Sequence, residues 1–104
     1  MALDGQVAWI TGSSSGNGRA IAERYAREGA AVLCSDIRPD PDPRGYDEGP
    51  PTHELITAAG GRAAYVDCNV ADPQQVDEAL ASCIAEFGRL DIHVANAGLS
   101  LIHI

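Results

Sequence analysis

Lysine is absent from these 104 residues, so all seven basic side chains are arginines. Chemistry that needs an ε-amino group is therefore excluded within this stretch. Basic residues are also few: 7 against 15 acids, a formal net charge of −8. That balance excludes the clustered cations of a nucleic-acid or anionic-membrane surface. No apolar run approaches the ~20 residues of a membrane span. Met1–Gly5 has neither a basic segment nor an apolar one, so a secretory leader is not expected and the location reads as cytoplasmic. Cys34, Cys68 and Cys83 are odd in number and lack CxxC spacing. Neither a disulfide framework nor a zinc site is indicated, and three reduced thiols are expected.

What remains is a hydrophobic content of 45% with 21% charged residues, the balance of one globular domain. Short apolar runs alternate with helical stretches. Gln6–Thr11 is a compact apolar run closed by Gly12. From Gly16 to Glu28, Ala22, Tyr25 and Ala26 share a helical stripe with Ile21, and Gly29 ends it. Ala31–Asp36 is a second apolar run. Arg38–Pro51 holds five of the six prolines and reads as a solvated loop insertion, with Arg38 a loop cation. Thr52 is placed to cap a short helix carrying Leu55, Ile56 and Ala59, closed by Gly60 and Gly61. Ala63–Asp67 makes a third strand.

The plainest helix follows. Asp72 is an N-cap, Pro73 sits at the first helical position and Gln75 completes a capping-box pattern. Val76, Ala79, Leu80, Cys83, Ile84 and Phe87 form one apolar stripe before Gly88. Leu90–Ala95 reads as a fourth strand. The order β-α-β-α-β-α-β predicts an α/β fold, a doubly wound parallel sheet of about four strands.

Between the first strand and helix lies Thr11-Gly12-Ser13-Ser14-Ser15-Gly16-Asn17-Gly18. Gly12 suits the turn off the strand, Gly16 a close approach of backbone to a pyrophosphate, and Gly18 helix–strand packing. The helix N-terminus presents free N–H groups to such an anion, and Ser13 and Ser15 add hydroxyls. Asp36 closes the second strand 20 residues past Gly16, where a dinucleotide fold holds the adenosine ribose. A carboxylate accepts both ribose hydroxyls and repels a 2′-phosphate, so NAD is expected over NADP. A methyltransferase-like domain, gripping the ribose of S-adenosylmethionine with the same acid, is the alternative.

Four motifs in order, Thr11-Gly12-x-x-x-Gly16-x-Gly18, Asp36, Cys68-Asn69-Val70-Ala71-Asp72 and Asn96-Ala97-Gly98, resemble the short-chain dehydrogenase/reductase family. The resemblance implies that residues 1–98 form the NAD-binding half of a Rossmann-type fold, with residues 38–51 inserted and 99–104 a truncated tail. It implies a pyrophosphate turn at Gly12, Gly16 and Gly18, with Asn17 in place of the usual Ile near the nicotinamide. Asp36 and Ile37 would hold adenosine ribose and ring. Cys68, Asn69 and Val70 would belong to the cofactor site, Asn69 standing where the family often has an Asp facing the adenine amino group. Asn96, Ala97 and Gly98 would pass the cofactor by their backbone, Ala95 replacing the first Asn of the family's pattern.

The implied reaction is hydride transfer between NAD and an alcohol or carbonyl compound, which the family assists with Ser and a Tyr-x-x-x-Lys pair. Tyr25, Tyr46 and Tyr65 have no such lysine. The expectation is a dinucleotide-binding portion without catalysis of its own, or a non-catalytic interaction fragment. An edge strand and the apolar Leu99–Ile104 tail point to self-association. His53, His93 and His103 are not spaced for a triad or a metal site, and Asp67 and Asp72 read as strand-end and capping acids.

Overall fold

A computed structural model describes residues 2–14, 16–37 and 50–95. Ser15, Asn96, Ala97, Gly98, the tail and residues 38–49 of the insertion lie outside the described residues. Strands β1 (Val7–Thr11), β2 (Ala31–Asp36), β3 (Arg62–Asp67) and β4 (Ile92–Ala95) alternate with helices α1 (Gly16–Arg27), α2 (Thr52–Ala58) and α3 (Pro73–Phe87). All pairings are parallel, in the order β3-β2-β1-β4. The expected doubly wound α/β arrangement is present.

Alternation along the strands divides the core into two layers. Ala8, Ile10, Val32 and Cys34 face α1 and α2, meeting Ala22 and Ile56. Val7, Trp9, Ala31 and Leu33 face α3, meeting Ala79 and Cys83. Helices cover both faces, so β1 and β2 are buried at nearly every position. Burial of this kind contributes about 25 cal/mol per Å² of apolar surface. It also pushes the Cys34 thiol up to about 12, against the opposing pull of Ser13 and Arg19, and raises Cys68 and Cys83. The three cysteines are free and protonated core residues.

Several local expectations change. Thr52 does not cap α2: Pro51 holds that position with no side-chain cap bond, and the Thr52 hydroxyl donates instead to the Ser13 carbonyl at 2.6 Å. Asp72 caps α3 as expected, accepting from Gln74 N–H at 3.0 Å. Gln75, however, does not close a capping box. Its Oε1 reaches past Asp72 to accept from Asn69 N–H at 2.8 Å, because the Asp72 N–H already donates to the Asn69 carbonyl. The α3 stripe is also narrower than its pattern, with Leu80 39% and Ile84 46% exposed. The stripe spans a wider arc than one sheet face covers.

Strand β4 starts at Ile92 rather than Leu90. Asp91 occupies the preceding position through its side chain, accepting the Val7 N–H at 2.8 Å while its own N–H donates to the Val7 carbonyl at 2.9 Å. Arg89 then pairs with the other Asp91 oxygen at 2.6 Å. The guanidinium and the Val7 amide hold that carboxyl below the usual carboxylate range.

Candidate dinucleotide site

The strand order reverses direction at β1: β2 and β3 lie on one side, β4 on the other. In open parallel sheets that reversal leaves a crevice beyond the carboxyl ends of the strands. Thr11, Asp36, Asp67 and Ala95 are the last residues of their strands and therefore border it.

The turn after β1 has left-handed backbone at Gly12 (φ 67°) and Gly16 (φ 59°), conformations that a side chain disfavours. A Cβ at Gly16 would meet, among the described residues beyond its own chain neighbours and helix backbone, no atom within 4 Å. Gly18 is buried in α1, whereas Asn17 is exposed at the helix start. Ser13 is buried; its N–H and hydroxyl both donate to the Ser35 carbonyl, at 3.1 and 3.3 Å, tying the turn to β2.

Asp36 faces this turn. Its Oδ2 accepts the Ser14 N–H at 3.1 Å and its Oδ1 accepts the Ile37 N–H at 2.7 Å. Each carboxylate oxygen keeps a further lone pair for a ligand hydroxyl. Ile37 is 73% exposed, an apolar plate at the lip of the crevice. Two residues past β3, the exposed Asn69 accepts from Ala71 N–H through its side-chain oxygen at 3.0 Å. Cys68 turns its thiol into the core and anchors by its N–H to the Asp36 carbonyl at 2.8 Å. Val70 packs against that same core. Gly12, Ser13, Asp36, Ile37 and Asn69 thus lie at or just beyond the carboxyl ends of β1, β2 and β3, whereas Gly18 is buried in α1 and Cys68 and Val70 pack into the core.

Three members of this region are not evident from motif spacing. The single Tyr65 hydroxyl proton is shared between Asp67 Oδ1 at 2.8 Å and the Asp36 carbonyl at 3.0 Å, joining the ends of β2 and β3. Burial first, then Asp67, raises its phenol above the ordinary value. Arg19 is 6% exposed, its guanidinium donating to Ser14, Thr52 and Pro50. A signal for it exists: Arg19 precedes Ala22 by three residues on the buried stripe of α1. Thr52 links Arg19 to the turn.

The model of the short chain dehydrogenase family matches residues 6–103. The chain belongs to the short-chain dehydrogenase/reductase family. This membership favours the dehydrogenase-type reading of the glycine turn over the methyltransferase-like one. Among this member's relatives is the short-chain reductase protein NovJ of Streptomyces niveus, 44% identical over 94 residues. That alignment covers 90% of this chain and 33% of NovJ. Glucose 1-dehydrogenase 2 of Bacillus subtilis is 38% identical, with 94% of this chain and 36% of the relative aligned. A crystal structure of a short chain dehydrogenase from Mycobacterium avium superposes with a TM-score of 0.81 at 37% identity, over 95% of this chain and 35% of that one. The chain spans about a third of the length of the relatives it matches. Members of this family bind nicotinamide dinucleotides, and the turn and acid described above have the donor and acceptor types such a ligand requires.

Proposed function

We propose that this chain binds the adenosine and pyrophosphate portion of NAD, within a protein that transfers hydride between NAD and an alcohol or carbonyl compound. One observation carries the reading: the Asp36 carboxylate lies within hydrogen-bond reach of the glycine turn, accepting from Ser14 at 3.1 Å. A ribose bridging turn and acid finds both acceptors at the end of β2. The amides at the start of α1 face the diphosphate, helped by the helix dipole. Ile37 offers its exposed face to the adenine ring, and the Asn69 amide a donor.

Charge decides between the two dinucleotides. Two ribose hydroxyls on one carboxylate gain roughly 1.5–3 kcal/mol each. A 2′-phosphate about 4 Å from Asp36 costs about 4 kcal/mol per unit charge at an effective dielectric near 20. Calorimetric titration of the chain with NAD and NADP tests the reading, and tighter binding of NADP would refute the role of Asp36. When bound, the dinucleotide supplies the hydride acceptor or donor. No Tyr-x-x-x-Lys pair is available in these 104 residues, so this stretch alone is expected to give no steady NADH production with any alcohol.

A second reading, self-association, has its own observation. Among the described residues β4 is hydrogen-bonded on one side only, to β1. Such an edge pairs readily with another strand. Sedimentation at rising concentration is expected to show a shift to larger species, and a single monomer boundary throughout would contradict it.

A further inference from the structure

The turn that faces Asp36 is held from behind by a buried arginine. Arg19 sends one guanidinium nitrogen to the Thr52 hydroxyl at 3.2 Å and to the Ser14 carbonyl at 3.3 Å, and the other to the Pro50 carbonyl at 3.0 Å. Thr52, itself 1% exposed, passes its hydroxyl proton to the Ser13 carbonyl at 2.6 Å. In a planar trans peptide the C=O and the following N–H point in opposite directions. The Ser13–Ser14 peptide is therefore gripped at both ends: Thr52 holds its carbonyl from the α2 side, and Asp36 accepts its amide from the β2 side. Each bond polarises the next, a cation strengthening a hydroxyl donor that in turn sharpens an amide donor.

We propose that Arg19 and Thr52 are positioning residues for the Asp36 carboxylate, and so determinants of the preference for an unphosphorylated ribose. Neither touches the sugar. They act through one peptide plane, whose fixed orientation sets where Oδ2 rests and which lone pairs stay open to a ligand. The inference rests on the NAD reading above, but its geometry is measurable without any ligand. It also gives the carboxyl-terminal end of the insertion a task, because the Pro50 carbonyl accepts from Arg19 and ties that end to the same clamp.

The test compares Thr52→Val, which keeps the shape and deletes the hydroxyl, with Thr52→Ser, which restores it, and with Arg19→Met. Site-resolved hydrogen exchange and titrations with NAD and NADP are the readouts. For Thr52→Val and Arg19→Met we expect Ser14 amide exchange to accelerate while amides of Ile10 and Leu33 keep their rates. The ratio of NAD to NADP affinity should fall by about tenfold, the scale of one hydrogen bond to a charged group. Thr52→Ser should retain both properties. Unchanged Ser14 exchange in Thr52→Val, or faster exchange with an unchanged affinity ratio, overturns the proposal. An unsubstituted chain that binds neither dinucleotide refutes the functional reading instead; accelerated Ser14 exchange in Thr52→Val would then still support the clamp.

Discussion

Asp36 accepts the amide of Ser14 across 3.1 Å, so the acid ending the second strand and the turn leaving the first form one hydrogen-bonded unit. Strand register makes this possible. Thr11 pairs with Ser35, placing the turn and the acid at the same level of the sheet. Replacing Asp36 by Ala is expected to weaken NAD binding about 10- to 100-fold, the scale of one hydrogen bond to a charged group, while NADP loses less or gains. Paired titrations check this, and equal losses for both dinucleotides would show that the carboxylate does not discriminate.

Gly16 separates backbone strain from ligand approach. Its φ of 59° disfavours a side chain, yet among the described residues outside its own neighbours and helix backbone a Cβ would meet nothing within 4 Å. Gly16→Ala is therefore expected to cost about 1 kcal/mol in urea unfolding, the left-handed strain alone. Dinucleotide binding should suffer more than that, because the added methyl projects into the open space. A variant of normal affinity would place the diphosphate elsewhere.

His93 stacks on Trp9 with ring centroids 4.3 Å apart and planes 10° from parallel. Water lost on that side lowers its pKa from the ordinary 6.5. The folded state then binds fewer protons than the unfolded one. The neutral imidazole's contribution is thus fully present above about pH 6.5 and lost as pH falls toward the lowered value. Trp9 is the sole tryptophan, so its emission follows unfolding of the core layer that holds this stack. Urea midpoints at pH 5 and 7 should differ less in His93→Phe than in the unsubstituted chain; an equal difference would assign the acid sensitivity to other groups.

Asp91 carries an acid dependence in a separate window. Arg89 and the Val7 amide depress its pKa below 3.8, so its stabilising effect is present above that value and fades as pH falls through the depressed one. Asp91→Ala is expected to lower the urea midpoint at pH 7 and speed amide exchange at Val7. Retained Val7 protection would show that the β4 backbone holds this side of β1 without the Asp91 carboxylate.

Element order, both caps of α3 and the glycine turn are legible in the sequence, because each rests on local chemistry: periodicity, a capping acid, a glycine where φ is positive. Thr52, Gln75, Leu80 and Ile84 depart from their local pattern for a common reason. A side chain able to make a local bond or join a stripe takes a distant partner when packing brings one closer, as the Ser13 carbonyl reaches Thr52. Leu80 and Ile84 keep the helical period but extend past the arc the sheet covers.

By itself, the amino-acid order determined a parallel α/β sheet with a glycine turn and a strand-end acid, since those depend on spacing within a few residues. Only the tertiary structure decided that Arg19 is buried, that Thr52 serves the turn rather than its own helix, and that Asp91 extends the pairing of β4 with β1. Those choices join groups 33, 39 and 84 residues apart. Burial away from water makes each polar group find a partner, and which partner lies within reach is set by the packing of strands and helices.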